Sequence, residues 1–180
     1  MKRLITVILA IVFVVLCIFS IKQVMQFNQK APKHVTLQKH EITGKMIQDE
    51  DVVSLDSSKE KFGQYLTKEI NVVNIWASWC DPCKKETPEL IQFNKNLPQN
   101  VKLIGLNVKD KAQQRKAFLN KYNPNYQMII ANEAFMEQYK INFVPTTLFV
   151  SKKGEVLGVY TGELTEEHLK TLIDSVKSKL

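Results

Sequence analysis

The chain has 180 residues, of which 44% are apolar and 24% charged, with a formal net charge of +7; this is a globular composition, which excludes wholesale disorder and a collagen-like repeat. The lysines are scattered and lack aromatic interleaving, so the positive balance reads as a solvated face and not as a nucleic-acid surface. Of the three cysteines, Cys17 lies in an N-terminal apolar run, which leaves Cys80 and Cys83 as one pair and rules out a framework of structural disulfides.

After Met1-Lys2-Arg3, the stretch from Leu4 to Ile21 is interrupted only by Thr6, Cys17 and Ser20. Its length of about 18 residues is near the minimum for crossing a bilayer as a helix. Ile18 to Gln23 offers only Ser20 as a small residue, which favours an uncleaved anchor over a cleavable signal segment. Leu16 before Cys17 argues against a lipid-attached cysteine, and Cys17 reads as a small apolar helix residue. Short basic leaders stay cytoplasmic, so Lys2 and Arg3 place the rest of the chain outside, against the competing pull of Lys22, Lys30 and Lys33. Residues 1–21 are therefore expected to be the anchor and residues 22–43, polar and without periodicity, a stalk. The folded domain is expected over 44–180.

Within that domain, Ser57-x-x-Glu60 has the form of a capping box and predicts a helix carrying Phe62, Tyr65 and Leu66. Asn71 to Ala77 is too apolar for a half-exposed strand and reads as a central one. A helix is expected from about Asp81 to Asn96, with Leu90, Ile91 and Phe93 on its buried side and Pro88 bending it. Val101 to Val108 predicts the next strand, and Lys111 to about Tyr122 a helix with Ala117, Phe118 and Leu119 as core positions. A short strand over Gln127 to Ala131 and a short helix over Glu133 to Tyr139 follow. Thr146 to Val150, the turn Ser151-Lys152-Lys153-Gly154 and Glu155 to Tyr160 then form a hairpin. Thr165 caps a last helix whose first turn holds Glu166 and Glu167 and whose last holds Lys177 and Lys179, matching the helix dipole. This strand–helix alternation predicts an α/β fold with a parallel core.

Cys80 and Cys83, two residues apart at a strand-to-helix junction, carry the chemistry. The first cysteine falls at the helix N-terminus, where unpaired N–H groups and the dipole favour a thiolate. Cys80 is thus the expected nucleophile, and Cys83, one turn on, would resolve the mixed disulfide. The same spacing is half of many zinc sites, but His34, His40, His168 and Cys17 do not stand at ligand spacing from the pair. A structural disulfide without turnover is the other alternative, although so short a loop stabilises a chain little.

The run Asn74-Ile75-Trp76-Ala77-Ser78-Trp79-Cys80-Asp81-Pro82-Cys83-Lys84-Lys85-Glu86-Thr87-Pro88 resembles the active-site segment of the TlpA/ResA/DsbE-type membrane-anchored thioredoxin-like oxidoreductases. The similarity continues through Gly105 to Asp110 and Val144-Pro145-Thr146-Thr147 to Gly162. It implies a thioredoxin-like fold, a central mixed β-sheet flanked by helices, and no cofactor beyond the cysteines. It also implies a cis Val144-Pro145 bond, with Trp79, Val144 and Pro145 contacting an extended substrate; an edge-strand proline fits the bare sequence equally. Glu86 matches a glutamate that adjusts the protonation of the cysteines, whereas a solvated helix residue pairing with Lys85 is the plain alternative. Asn74 stands where thioredoxin itself carries a buried aspartate. It cannot accept the proton of Cys83, which must then pass to Glu86 or water. Asp81 and the Lys84-Lys85 pair pull on Cys80 in opposite directions.

The expected function is disulfide exchange outside the cell membrane, with Cys80, Cys83 and Glu86 catalytic. By resemblance it acts as a reductant of exported proteins, as in cytochrome c maturation, fed by a membrane thiol carrier. A disulfide-forming oxidase is the competing direction, and a redox-silent binding module the competing class.

Overall fold

The computed structural model describes residues 12–20, 22, 35–178 and 180. Residues 12–20 and 22 are helical. Among the described residues no helix is long and apolar enough to cross a membrane, and much of the span expected over 4–21 lies outside them. A separate compact unit runs from Val35 to Leu180. Residues 35–43, expected to be stalk, are thus part of the folded unit. Val35 and Ile42 are buried, Gln38 pairs with Val159, and the segment covers an otherwise open sheet edge.

The unit contains strands β1 (Asp51–Ser54), β2 (Lys59–Lys61), β3 (Ile70–Trp76), β4 (Val101–Asn107), β5 (Gln127–Ala131), β6 (Thr146–Ser151) and β7 (Val156–Thr161). Helices α1 (Asp81–Lys95), α2 (Ala112–Tyr122), α3 (Phe135–Gln138) and α4 (Glu166–Lys177) separate or follow them. The strand order is β2-β1-β5-β4-β3-β6-β7. β3, β4 and β5 are parallel, and β1 and β6 join them antiparallel. The result is the expected thioredoxin-like mixed sheet flanked by helices.

β3 is buried along its whole length because both faces are covered, as is usual for a parallel core. Alternation divides its side chains between two cores. Val73 and Ile75 face Phe135 and Met136 of α3. Ile70 and Val72 face Leu90 and Phe93 of α1 and Leu169, Leu172, Ile173 and Val176 of α4. Asn74 shares the parity of Ile70 and Val72, so it points to the α1 side. Helix α1 therefore lies over the one polar position on that face of β3.

Two further expectations need correction. No helix starts at Ser57, which sits in a turn at φ 72. Ser58 N–H donates to Ser54 Oγ at 3.1 Å and to Asp56 Oδ1 at 3.3 Å, and such local bonds compete with helix formation. Lys59–Lys61 instead pairs with β1, and only a 3₁₀ turn, Phe62–Tyr65, follows. On α2, Phe118 is buried against Trp76 and Met128, whereas Ala117 is exposed and Leu119 half-buried, because only a narrow stripe of this helix meets the sheet. The β6–β7 hairpin turns at Gly154, at φ 97, where a side chain would run into Gln48.

Candidate active site

Cys80 is the N-cap of α1, in an extended backbone conformation. Its sulfur accepts a hydrogen bond from Cys83 N–H at 3.1 Å, so it takes the place of the oxygen that usually caps a helix. The free N–H groups of that first turn and the dipole favour negative charge on this atom, by about 0.3–1 kcal/mol at an exposed site and more when partly buried. Cys80 and Cys83 form a disulfide with a Cα–Cα separation of 5.3 Å. Both are buried, while the neighbouring Trp79 is 54% exposed. The pair therefore lies at the foot of an aromatic rim.

Glu86 lies on α1 one turn beyond Cys83 and is only 2% exposed. Its Oε1 accepts from Asn74 Nδ2 at 2.8 Å, and its Oε2 from Leu164 N–H at 3.1 Å. The solvated pairing with Lys85 is thus not the one adopted. Burial pushes the carboxyl up to about 7; the bonds from Asn74 and Leu164 oppose the rise, and the charge of Glu163 adds to it. Asn74 also donates to Thr147 Oγ1 at 3.3 Å, so it orients Glu86 rather than accepting a proton itself. Asp81 pairs with Lys84 at 2.7 Å, and that hydrogen bond and charge hold its carboxyl below the usual range. Lys84 thus offsets the acid that sits beside Cys80.

The Val144-Pro145 bond is cis. Val144 is half-buried and packs against the cluster that contains Cys80 and Cys83. The pairing of β6 with β3 and β7 starts only at Thr146, so Val144 meets that cluster from outside the ladder. Pro145 C=O accepts from Gly162 N–H at 2.9 Å.

A second set of polar contacts, which no local sequence pattern announces, holds the cysteine loop from the other side. Asp110 accepts from Ser78 N–H at 2.7 Å, Ser78 Oγ at 2.6 Å and Asn107 Nδ2 at 3.0 Å. Trp79 Nε1 donates to Lys109 C=O at 2.9 Å. The Ser78–Asp110 contact spans 32 residues; the only sequence signal for Asp110 is its place in the Gly105–Asp110 resemblance. Among the described residues, no three His, Cys, Asp or Glu side chains gather as metal ligands would.

Residues 26–173 match the Redoxin family. The chain is similar to the thiol-disulfide oxidoreductase ResA of Bacillus subtilis, at 28% identity over 58% of this chain and 60% of that one. It is also similar to the sporulation thiol-disulfide oxidoreductase A of the same organism, at 30% identity over 55% of this chain and 63% of that one. The alignments therefore span less than two thirds of those relatives' own length. The crystal structure of StoA from Bacillus subtilis superposes with a TM-score of 0.56 at 25% identity, covering 67% of this chain and 92% of that one. With this match over most of its length and a cysteine pair on the matching fold, the chain belongs to the Redoxin family, and the two relatives above are named thiol-disulfide oxidoreductases.

Proposed function

We propose that this protein is a membrane-tethered, extracytoplasmic thiol–disulfide oxidoreductase that reduces disulfides in exported proteins. The observation that carries the reading is Glu86, a desolvated carboxylate held near 7 one helical turn from Cys83. An exchange reaction needs a group there that takes a proton at neutral pH. Cys80 thiolate attacks a partner's disulfide, forming the mixed disulfide and releasing one partner thiolate. Cys83 gives its proton to Glu86 and attacks Cys80 Sγ, which frees the second partner thiolate and closes the Cys80–Cys83 disulfide. The partner gains two electrons and the chain's own dithiol loses them. A membrane thiol carrier would restore the dithiol.

The direction follows from the same carboxylate. Strong oxidants owe their potential to a stabilised reduced form, and a buried carboxylate near the cysteines disfavours their thiolates. That supports a reductant, with exported apocytochrome c as one fitting substrate. Tethering is supported by the apolar run over 4–21, and Val144, Pro145 and Trp79 fit the contact with an extended substrate.

Cys83→Ala should strand mixed disulfides on Cys80, which identifies the substrates after thiol trapping. The native pair should be found mostly reduced in cells, with a potential at or below roughly −250 mV. A mostly oxidised pair near −120 mV, the range of strong oxidants, would reverse the direction to disulfide formation. Absence of any trapped partner would remove the exchange reading.

A further inference from the structure

Helix α2 breaks charge rules that the two longer helices keep. α4 opens on Thr165 with Glu166 and Glu167 in its first turn, and α1 opens on Cys80 with Asp81. α2 opens on Lys111, whose side chain makes no cap bond, and its first turn holds no acid. A cation there faces the positive end of the helix dipole. Lys111 and Arg115 also stand four residues apart, a like-charge pair that destabilises a helix. Lys116 and Lys121 follow, and no aspartate or glutamate occurs in Ala112–Tyr122. Among the described residues Lys109, Lys111, Arg115, Lys116 and Lys121 form no ion pair; the pairs use Lys61, Lys84, Lys140, Lys170 and Lys177. Asp110, the one acid in the stretch, is occupied by Ser78 and Asn107. Lysines that look scattered along the sequence thus gather on one helix and its entry.

Local rules broken without gain to the fold are expected where a surface serves a function, and this surface reaches the cysteine pair. Trp79, next to Cys80, donates from Nε1 to Lys109 C=O. Phe118 of α2 packs in the cluster that contains both cysteines. A cleft of about 410 Å³ runs between them, walled by Trp79, Phe118, Lys84 and Lys121 among others and by no acid. We propose that α2 and this cleft form an electrostatic docking face for acidic polypeptides, whose carboxylates beside the reactive disulfide meet Lys111, Lys116 and Lys121. The occupant is the disulfide substrate itself. A bilayer resting on α2 would cover Trp79 and close the approach to Cys80, whereas a polypeptide that brings its own disulfide uses that adjacency. Opposite charges on the two surfaces raise the rate of encounter about 10-fold to 10³-fold. This rests on the exchange reading above. The reaction is unchanged: the dithiol of the chain becomes a disulfide, and the substrate disulfide becomes two thiols.

The test uses the full chain in mild detergent, reduced and freed of excess dithiothreitol. It is offered two disulfide peptides that differ only in a Glu-Glu or Gln-Gln pair beside the cysteine. At about 0.01 M ionic strength the native chain should reduce the Glu peptide roughly tenfold or more faster in kcat/KM. In 1 M salt, where the screening length is about 3 Å, the ratio should fall to within about twofold. The triple variant Lys111→Gln, Lys116→Gln, Lys121→Gln should show that same small ratio at low salt. Lys152→Gln with Lys153→Gln is the control and should keep the native ratio. Those exposed lysines lie at the far end of the sheet, since Ser151 pairs with Ile70, the first residue of β3, and Cys80 follows its last. Lys111→Gln alone should unfold at no lower denaturant concentration than the native chain; a lower one would give that lysine to the fold and overturn the proposal. Equal rates for the two peptides, a ratio preserved in the triple variant, or a ratio lost equally in the control overturn the docking face alone. Slower reduction of the Gln peptide in phosphatidylglycerol vesicles than in phosphatidylcholine vesicles, relieved in the triple variant, would give the face to the membrane and overturn it too. Failure to reduce either peptide overturns the exchange reading and the docking face with it.

Discussion

Glu86 and Asp110 flank the same cysteine loop, yet the chain treats the two carboxylates in opposite ways. Glu86 is taken out of water and given two hydrogen bonds, from Asn74 and Leu164, too few to offset its burial, and its carboxyl rises to about 7. Asp110 is half-buried and receives three donors, two of them from Ser78. One carboxylate is left able to exchange a proton with its surroundings. The other is committed to holding the loop that presents Trp79 and Cys80. At Glu86 it is desolvation, not offset by the two donors, that raises the carboxyl.

The largest test of this division is Glu86→Gln. A general base contributes at least about 10²-fold, so resolution of the mixed disulfide should slow by roughly that factor. Stability gives an independent reading. The folded chain holds the Glu86 proton up to about pH 7, whereas the unfolded chain releases it near 4.5. The protonated form is thus the one the fold favours. Stability from this group is fully present below about 4.5 and is lost as pH rises to about 7, by roughly 3 kcal/mol in all. Denaturant unfolding of the oxidised protein between pH 4 and 8 should show that loss in the native chain and not in Glu86→Gln. An unchanged slope in the variant would mean that Glu86 is not the buried acid.

Asp110→Ala should act differently. It strands Ser78 N–H and Oγ, in a residue only 9% exposed, and leaves the Asn107 amide with its bond to Trp76 C=O alone, at a cost of about 2 kcal/mol. Exchange should slow at all pH values alike, because the loop is misplaced and no proton carrier is removed. The pH profile of the exchange rate decides the point: an inflection near 7 that vanishes in Asp110→Ala would merge the two roles.

The halves of this site were unequally legible in the sequence. Cys80, Cys83, the start of α1 and the buried β3 are written locally, in spacing, in the cap position and in an apolar run. Asn74 and Glu86 could be suspected, since both lie in one short segment. Leu164, which donates to Glu86 across 78 residues, and the Ser78–Asp110 contact belong to the folded chain, not to any window of it. The same cause explains the misread N-terminal part. β1 pairs with β5 far along the chain, and residues 35–43 look like a polar tether until β7 supplies the edge they cover. Ser57-x-x-Glu60 matches a helix cap, but Ser54 and Asp56 offer its backbone nearer partners. Tyr65 hydroxyl then donates to Glu60 at 2.7 Å, so the expected capping glutamate is used in another way.

The smallest effect asks whether the Asp110 side is one brace or several separate bonds. Trp79→Phe removes the 2.9 Å bond to Lys109 C=O while keeping an aromatic face at the rim, and should cost about 1 kcal/mol or less. Lys109 and Asp110 are adjacent, as are Trp79 and Ser78, so the two contacts fix the same pair of loops against each other. Once Asp110→Ala has loosened them, the Trp79 bond has less to hold. The double variant should therefore lose less stability than the two single variants added together, with a coupling of at least about 0.5 kcal/mol. Additivity within about 0.3 kcal/mol would make the contacts independent and leave Asp110 bracing Ser78 alone. In that case Trp79 would be held at the rim by its own hydrogen bond, and the contrast with Glu86 would narrow to a single carboxylate and a single serine.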